Sequence, residues 1–149
     1  MNRLSALCSV VVLVSVVGCV ERTATELRPA ISPMTNLPVD ICTEASLTPL
    51  AASVRNLGDD DIVIASVAFV ADASQPDGLA SFGEPVLDKT TLLGDEEAFI
   101  QFDYGSPGGV PQKATLVINS DAEVNPVLEI PVETSAVTDE QRVLANCAP

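Results

Sequence analysis

The sequence predicts an all-β fold, an antiparallel sandwich of about seven short strands. Two observations predict it. Apolar residues recur with a period of two along several short stretches, as they do in strands with one buried face. Clusters of Gly, Pro, Asn and Asp separate those stretches, and such clusters are turn formers.

Taken in order, Leu50, Ala52 and Val54 alternate with Ala51, Ser53 and Arg55, a half-buried strand. Asn56-Leu57-Gly58-Asp59-Asp60-Asp61 turns the chain. Residues 62–70 are apolar on both faces and rich in β-branched side chains, which predicts a central strand. Residues 71–83, with Pro76-Asp77-Gly78, read as a loop ending at Phe82, a plug for the core. Residues 84–93 read as one weaker strand, closed by Gly94-Asp95-Glu96. Ala98, Ile100 and Phe102 then face inward, with Glu97, Gln101 and Asp103 outward.

After the loop 105–109, Ala114, Leu116 and Ile118 alternate with Thr115 and Val117. Leu128, Ile130 and Val132 alternate with Glu129, Pro131 and Glu133. Pro131 has no N–H to give a ladder, so this strand is at an edge or has its open side there. Strand number and turn spacing together predict an immunoglobulin-like β-sandwich. A short helix follows, with Thr138 as N-cap and Gln141 at the capping-box position.

The N-terminus has its own logic. Arg3 precedes an apolar run over residues 7–17, too short for the roughly 20 residues of a spanning helix. A basic start, a short apolar core and small residues form a secretory signal. The run ends in Val16-Val17-Gly18-Cys19, which resembles the lipobox of bacterial lipoproteins. That resemblance implies a cleaved signal peptide over 1–18 and a diacylglycerol thioether on Cys19, carrying palmitate-type acyl chains. Each buried methylene contributes roughly 0.8 kcal/mol, so several chains hold firmly. An ordinary leader with Cys19 as a bystander, or an uncleaved membrane segment, are the alternatives. The spacing from Arg3 and the abrupt polar change at Glu21-Arg22 favour the lipoprotein. Val20 rather than Asp follows the lipidated position, which in a Gram-negative cell favours the outer membrane. The expected address is the cell envelope, outside the cytoplasm.

Residues 19–37 are rich in Thr, Pro and charge and read as a flexible tether spanning about 25 Å. Residues 38–149 are then one domain by size. All 21 acidic residues follow Cys19, while Arg3 leaves with the signal, so the mature charge is more negative than −14. Such a chain is a poor partner for nucleic acid, whose phosphates demand Lys and Arg. It is no better suited to lie on anionic lipid, which leaves the N-terminal lipid as its membrane contact. An acidic surface is ordinarily a solvated one, and a basic partner is the sharper reading.

Of four cysteines, Cys8 leaves with the leader and Cys19 carries lipid. Cys42 and Cys147 remain, in an oxidising compartment, and a disulfide between them is the default expectation. Closing a loop of about 100 residues is worth up to about 4.7 kcal/mol in the chain-entropy model. Two free thiols, or an outside partner, are the alternatives. Cross-linking matters here because the chain has 3% aromatics and no Trp.

Chemistry-bearing groups are sparse. There is no His, which removes imidazole bases and the commonest metal ligand. No motif surrounds Lys89 or Lys113 as partner to a serine nucleophile. Paired carboxylates serve glycoside hydrolysis, but one Tyr and no Trp are poor material for a sugar cleft. Gly105 to Gly109 lacks the Lys of a phosphate loop. No catalytic residue, cofactor or metal is expected, and a carboxylate hydrolase is a distant third reading.

One constellation stands out. In immunoglobulin order, three turns fall at one pole, carrying Asp59-Asp60-Asp61, Asp95-Glu96-Glu97, and Asp121 with Glu123. Gathered carboxylates bind calcium through oxygen, though the spacing lacks the interior Gly and terminal Glu of an EF-hand loop. Solvated turns are the default, with calcium, carbohydrate or a basic partner as alternatives.

A family resemblance lies in the ordered segments Ser53-Val54-Arg55-Asn56-Leu57-Gly58, Ile62-Val63-Ile64, Phe82, Ile100-Gln101-Phe102, Ala114 to Asp121, and Pro126 to Val132. These resemble the ASPM/SPD-2/Hydin-type immunoglobulin-like domain over most of the chain after Leu47. Asp103 stands where a Pro usually follows the aromatic, and Glu133-Thr134-Ser135 replaces the terminal Gly-rich motif. The resemblance implies a non-enzymatic adhesion, scaffold or assembly module with an envelope protein as partner. It transfers no binding residues.

Overall fold

The computed structural model describes residues 22–37, 47–105 and 111–135. The leader 1–18, Cys19, Cys42, Cys147 and the expected C-terminal helix lie outside the described residues. The described residues form nine strands: β1 (Leu27–Pro29), β2 (Met34–Leu37), β3 (Leu47–Asn56), β4 (Ile62–Ala71), β5 (Val86–Leu87), β6 (Thr91–Leu92), β7 (Glu97–Gly105), β8 (Lys113–Ser120) and β9 (Val127–Thr134). A 3-10 turn, Pro76–Ser81, lies between β4 and β5.

They form two sheets, β1-β3-β7-β5 and β2-β9-β8-β4-β6. Every pairing is antiparallel except β2 with β9, which run parallel. This is the all-β sandwich that the period-two pattern predicts. β7 shows the cause: Ala98, Ile100, Phe102 and Tyr104 are buried while Glu97, Phe99, Gln101 and Asp103 are exposed. The opposing sheet contributes Ile62 and Ile64, Leu116 and Ile118, and Ile130 and Val132 to the same core. Side chains of one pleat face meet those of the other, and water is excluded between them.

Four of the five aromatic rings cluster at one end of this core. Phe69 lies 5.0 Å from Phe82 and 4.9 Å, edge-on, from Phe102, and Phe82 lies 5.2 Å from Tyr104. Phe82 is the expected plug. Such ring pairs add about 0.5–1.5 kcal/mol each beyond area burial, which offsets the scarcity of aromatics.

Three expectations are corrected. Residues 22–37 are not a free tether, because β1 and β2 enter opposite sheets and the sandwich begins near Thr25. Leu27 and Met34 are buried, and Ala30 N–H donates to Ser53 O at 2.9 Å. Strands of three and four residues are too short to print a period on a polar segment. The Ser32–Pro33 peptide between them is cis.

Residues 84–93 are not one strand. β5 pairs with β7 and β6 pairs with β4, so the segment crosses from one sheet to the other. The break falls at Asp88, whose carboxylate accepts the Phe99 N–H at 2.8 Å in place of a ladder bond.

β4 is apolar on both faces but buried on one. Its outward residues Val63 and Val70 are 45% and 51% exposed. β9 is not an edge, because it lies between β2 and β8, and Pro131 sits on its β2 side just before that pairing begins at Val132. On the other side Thr134 N–H donates to Gln112 O and Ser120 N–H donates to Pro126 O. By alternation the even-numbered residues of β9 face β8, and the Pro131 nitrogen points away from that ladder.

Candidate functional site: an acidic pole and a sheet face with exposed valines

The pole is organised by one buried amide. Asn56, at the end of β3, has no exposed surface. Its Nδ2 donates to Asp60 O at 2.7 Å and to Leu92 O and Leu93 O at 3.2 Å each, while its Oδ1 accepts the Gly58 N–H at 2.8 Å. One side chain thus ties the β3–β4 turn to the β6–β7 turn. Gly58 is required there because an added Cβ would lie 2.5 Å from Thr25 Cα. Asp95 occupies the left-handed region at φ 63°, which Asp and Asn tolerate better than most side chains.

The third turn, between β8 and β9, joins through Asp121, whose carboxylate accepts the Val63 N–H at 2.7 Å. Asp59, Asp60, Asp61, Asp95, Glu96, Glu97, Asp121 and Glu123 therefore share one end of the sandwich. They do not converge on a common centre. Asp59 accepts the Thr23 N–H at 2.8 Å. Arg22 pairs with Asp60 and, at 2.9 Å, with Glu123. Arg55 donates to Asp95 O at 3.1 Å and to its carboxylate at 3.4 Å. Lys89 donates to Glu96 at 2.6 Å, and the other oxygen of Glu96 accepts the Leu93 N–H at 3.0 Å.

The electrostatics follow. Glu96 is held below the usual carboxylate range, chiefly by its Lys89 bond and then by the Leu93 N–H. The same bond raises Lys89. Among the described residues, no group of three or more Asp, Glu, His or Cys side chains is arranged to hold a metal ion. Arg22 was hidden from sequence reasoning because its segment read as a tether.

A second surface has the opposite character. The outer face of the five-stranded sheet carries Val63, Ser66, Ala68 and Val70 from β4, Thr115, Val117 and Asn119 from β8, and Val127 and Pro131 from β9, with Asn119 Nδ2 donating to Ser66 Oγ at 2.9 Å. Val127, like Val70, is 51% exposed. Among the described residues the middle of this face carries Glu129, with Lys113 and Glu133 paired to each other at 3.2 Å, beside Asp72, at one end and Asp121 at the other. The available signal was the doubly apolar pattern of residues 62–70. On the other sheet a shallow hollow of about 420 Å³ lies over Pro49, Ala51, Val86 and Gln101.

Solved structures share this architecture. A protein of unknown function from Porphyromonas gingivalis W83 superposes with a TM-score of 0.57 at 15% identity, over 76% of this chain and 47% of that one. The ASH/PapD-like domain of human CEP192 (PapD-like domain 7) superposes with a TM-score of 0.52 at 14% identity, over 89% of this chain and 98% of that one. The fold is immunoglobulin-like. This chain spans about half the length of the Porphyromonas protein and nearly all of the CEP192 domain. Identity this low carries the fold alone. No protein-family profile matches the sequence, and no curated protein matches it.

Proposed function

We propose that this immunoglobulin-like domain is a non-enzymatic protein-interaction module, a scaffold or adhesion part of a cell-envelope assembly, held to the membrane through lipid on Cys19. The observation that carries this reading is the outer face of β4, β8 and β9. A chain of net charge −14 keeps Val63, Val70 and Val127 exposed on a face whose middle carries Glu129, with further charge at its two ends. Large apolar side chains left exposed on a sheet face, with charge concentrated at its ends, mark a contact site. The acidic pole supports the same reading from the other side, because its carboxylates serve turns and strand ends within the fold. The domain's role is then to present a rigid face, with the N-terminal lipid confining the search for a partner to the membrane surface.

The experiment is in-cell crosslinking of the tagged full chain, read by mass spectrometry, for wild type, a Val70→Lys/Val127→Lys variant and a Cys19→Ser variant. The expected result is one reproducible partner, lost on the lysine-substituted face and diminished when the chain leaves the membrane. Detectable turnover on an esterase, glycosidase and protease panel, or a partner indifferent to Val70 and Val127, overturns the proposal.

A further inference from the structure

The longest strand edge in the five-stranded sheet is left open. β4 pairs with β8 from Ile64↔Ser120 to Ala71↔Ala114. On its other side it meets β6 only at Ile62↔Leu92 and Val63↔Thr91, followed by the Ile64 N–H donated to Thr90 O at 2.7 Å. Which backbone groups lie beyond that point follows from alternation. Even-numbered residues of β8 face β9, as the Ser120 and Thr134 hydrogen bonds fix, so Thr115, Val117 and Asn119 face β4. Their partners Val70, Ala68 and Ser66 are spent on that ladder. The N–H and C=O groups of Val67 and Phe69 therefore point out of the sheet, and no partner takes them among the described residues.

Natural proteins blunt such edges with Lys, Pro, bulges or brevity. The other edges among the described residues use brevity or Pro: β1, β2, β5 and β6 have four residues or fewer, and the lengths of β3 and β9 that run past β1 and β2 carry Pro49 and Pro131. β4 has ten residues, Ile62–Ala71, none of them charged and none of them Pro, with one irregularity between Ile64 and Ser66. Charge returns at both ends, with Asp60 and Asp61 immediately before it and Asp72 and Asp77 after it.

We infer that the β4 edge receives, by strand addition, an extended peptide segment with alternating apolar residues and a basic end beside Asp72 and Asp77. This deepens the interaction-module reading and rests on it. Main-chain bonds to Val67 and Phe69 supply the register, and alternate side chains of the added strand continue the exposed face at Ala68 and Val70. Lys or Arg at the segment end beside Ala71 meets Asp72 and Asp77, while the other end stops at Thr90, where β6 takes over the edge. A second copy of this chain is a poor occupant. Antiparallel β4–β4 pairing would set Asp60 and Asp61 of one copy beside Asp72 and Asp77 of the other, like charge on like.

The test uses the full chain with synthetic peptides holding a Thr-Val-Thr-Val-Thr core between lysine pairs, and the same core between glutamate pairs. Amide hydrogen exchange is read residue by residue. The expected result is saturable protection of the Val67 and Phe69 amides, about tenfold or more, by the lysine-flanked peptide and far less by the other. Val67→Pro removes an outward N–H without touching the β8 ladder, and it abolishes that protection while Leu116 and Ile118 stay protected. Should this variant unfold, Ala65→Lys, an edge guard of the natural kind, replaces it. No protection at either amide by any peptide overturns the inference. So does concentration-dependent protection without peptide, which assigns the edge to a second copy. Crosslinking that still depends on Val70 and Val127 then leaves the interaction module standing with the edge assignment lost; crosslinking that is indifferent to them removes both.

Discussion

The Tyr104 hydroxyl lies 3.0 Å from Thr134 Oγ1, and this buried contact joins β7 of one sheet to β9 of the other. Thr134 Oγ1 also accepts the Gln112 N–H at 2.9 Å, so the pair fixes the end of the sandwich opposite the acidic pole. Between this pair and the Asn56 amide, which reaches Leu92 O at the acidic pole, the core is made of apolar side chains, which pack well but specify alignment weakly.

Tyr104→Phe is expected to lower the unfolding free energy by about 1–2 kcal/mol, since a buried polar atom loses one partner. Thr134→Val costs more, because Gln112 loses its acceptor as well. In a double-mutant cycle by urea denaturation, the two losses sum to about 1 kcal/mol more than the double variant shows.

Asn56→Ala strips donors from three carbonyl groups and an acceptor from Gly58 N–H in one step. A loss of about 3 kcal/mol is expected, at the upper end for a buried polar deletion. Thermal unfolding measures it, and a loss below half that figure would mean that water replaces the amide.

Gly58→Ala places a Cβ against the Thr25 backbone, which no side-chain rotation relieves. Overpacking of this kind costs about 1–3 kcal/mol. Hydrogen exchange should show the Leu57 and Val124 amides, bonded to Glu26 O and Thr25 O, losing protection before Leu116 does.

Truncation tests the same segment. A chain lacking residues 1–37 loses Leu27 and Met34 from the core, while a chain lacking residues 1–21 keeps both. The first is expected to be less stable by about 3 kcal/mol or more, taking about 1.5–3 kcal/mol for each buried apolar side chain. Equal stability would restore the tether.

Acid should act through Glu96. Its folded-state pKa is depressed by Lys89, so its contribution is present above the ordinary carboxylate pKa and is lost as pH falls through the lowered one. Protonating other carboxylates relieves the repulsion of an acidic chain, an effect of opposite sign. Glu96→Gln isolates the local part: urea unfolding across the acidic range should lose some of its pH slope in the variant. The raised pKa of Lys89 gives the mirror effect, full at neutral pH and lost only as strongly alkaline pH passes that value.

Calcium titration should give no saturable heat and no change in thermal midpoint. An ion at the pole would have to take Asp60 from Arg22 and Asp121 from the Val63 N–H. A midpoint that rises with calcium concentration would reverse this.

Strand identity and facing in the longer elements were legible in the residues themselves. Leu50, Ala52 and Val54, then Ala98, Ile100 and Phe102, then Leu116 and Ile118 print a period of two that only a pleated strand with one dry face explains. The acidic turns were legible as turns, because Asp and Gly there answer to local backbone geometry. What the tertiary structure alone decided are relations between distant segments: β1 and β2 inside the sandwich, the transfer of residues 84–93 between sheets, Arg22 on Asp60, and the open edge of β4. Short strands carry too few residues to show a period. A doubly apolar strand reads alike whether its second face meets core or solvent, since burial belongs to the neighbours a residue acquires and not to the residue.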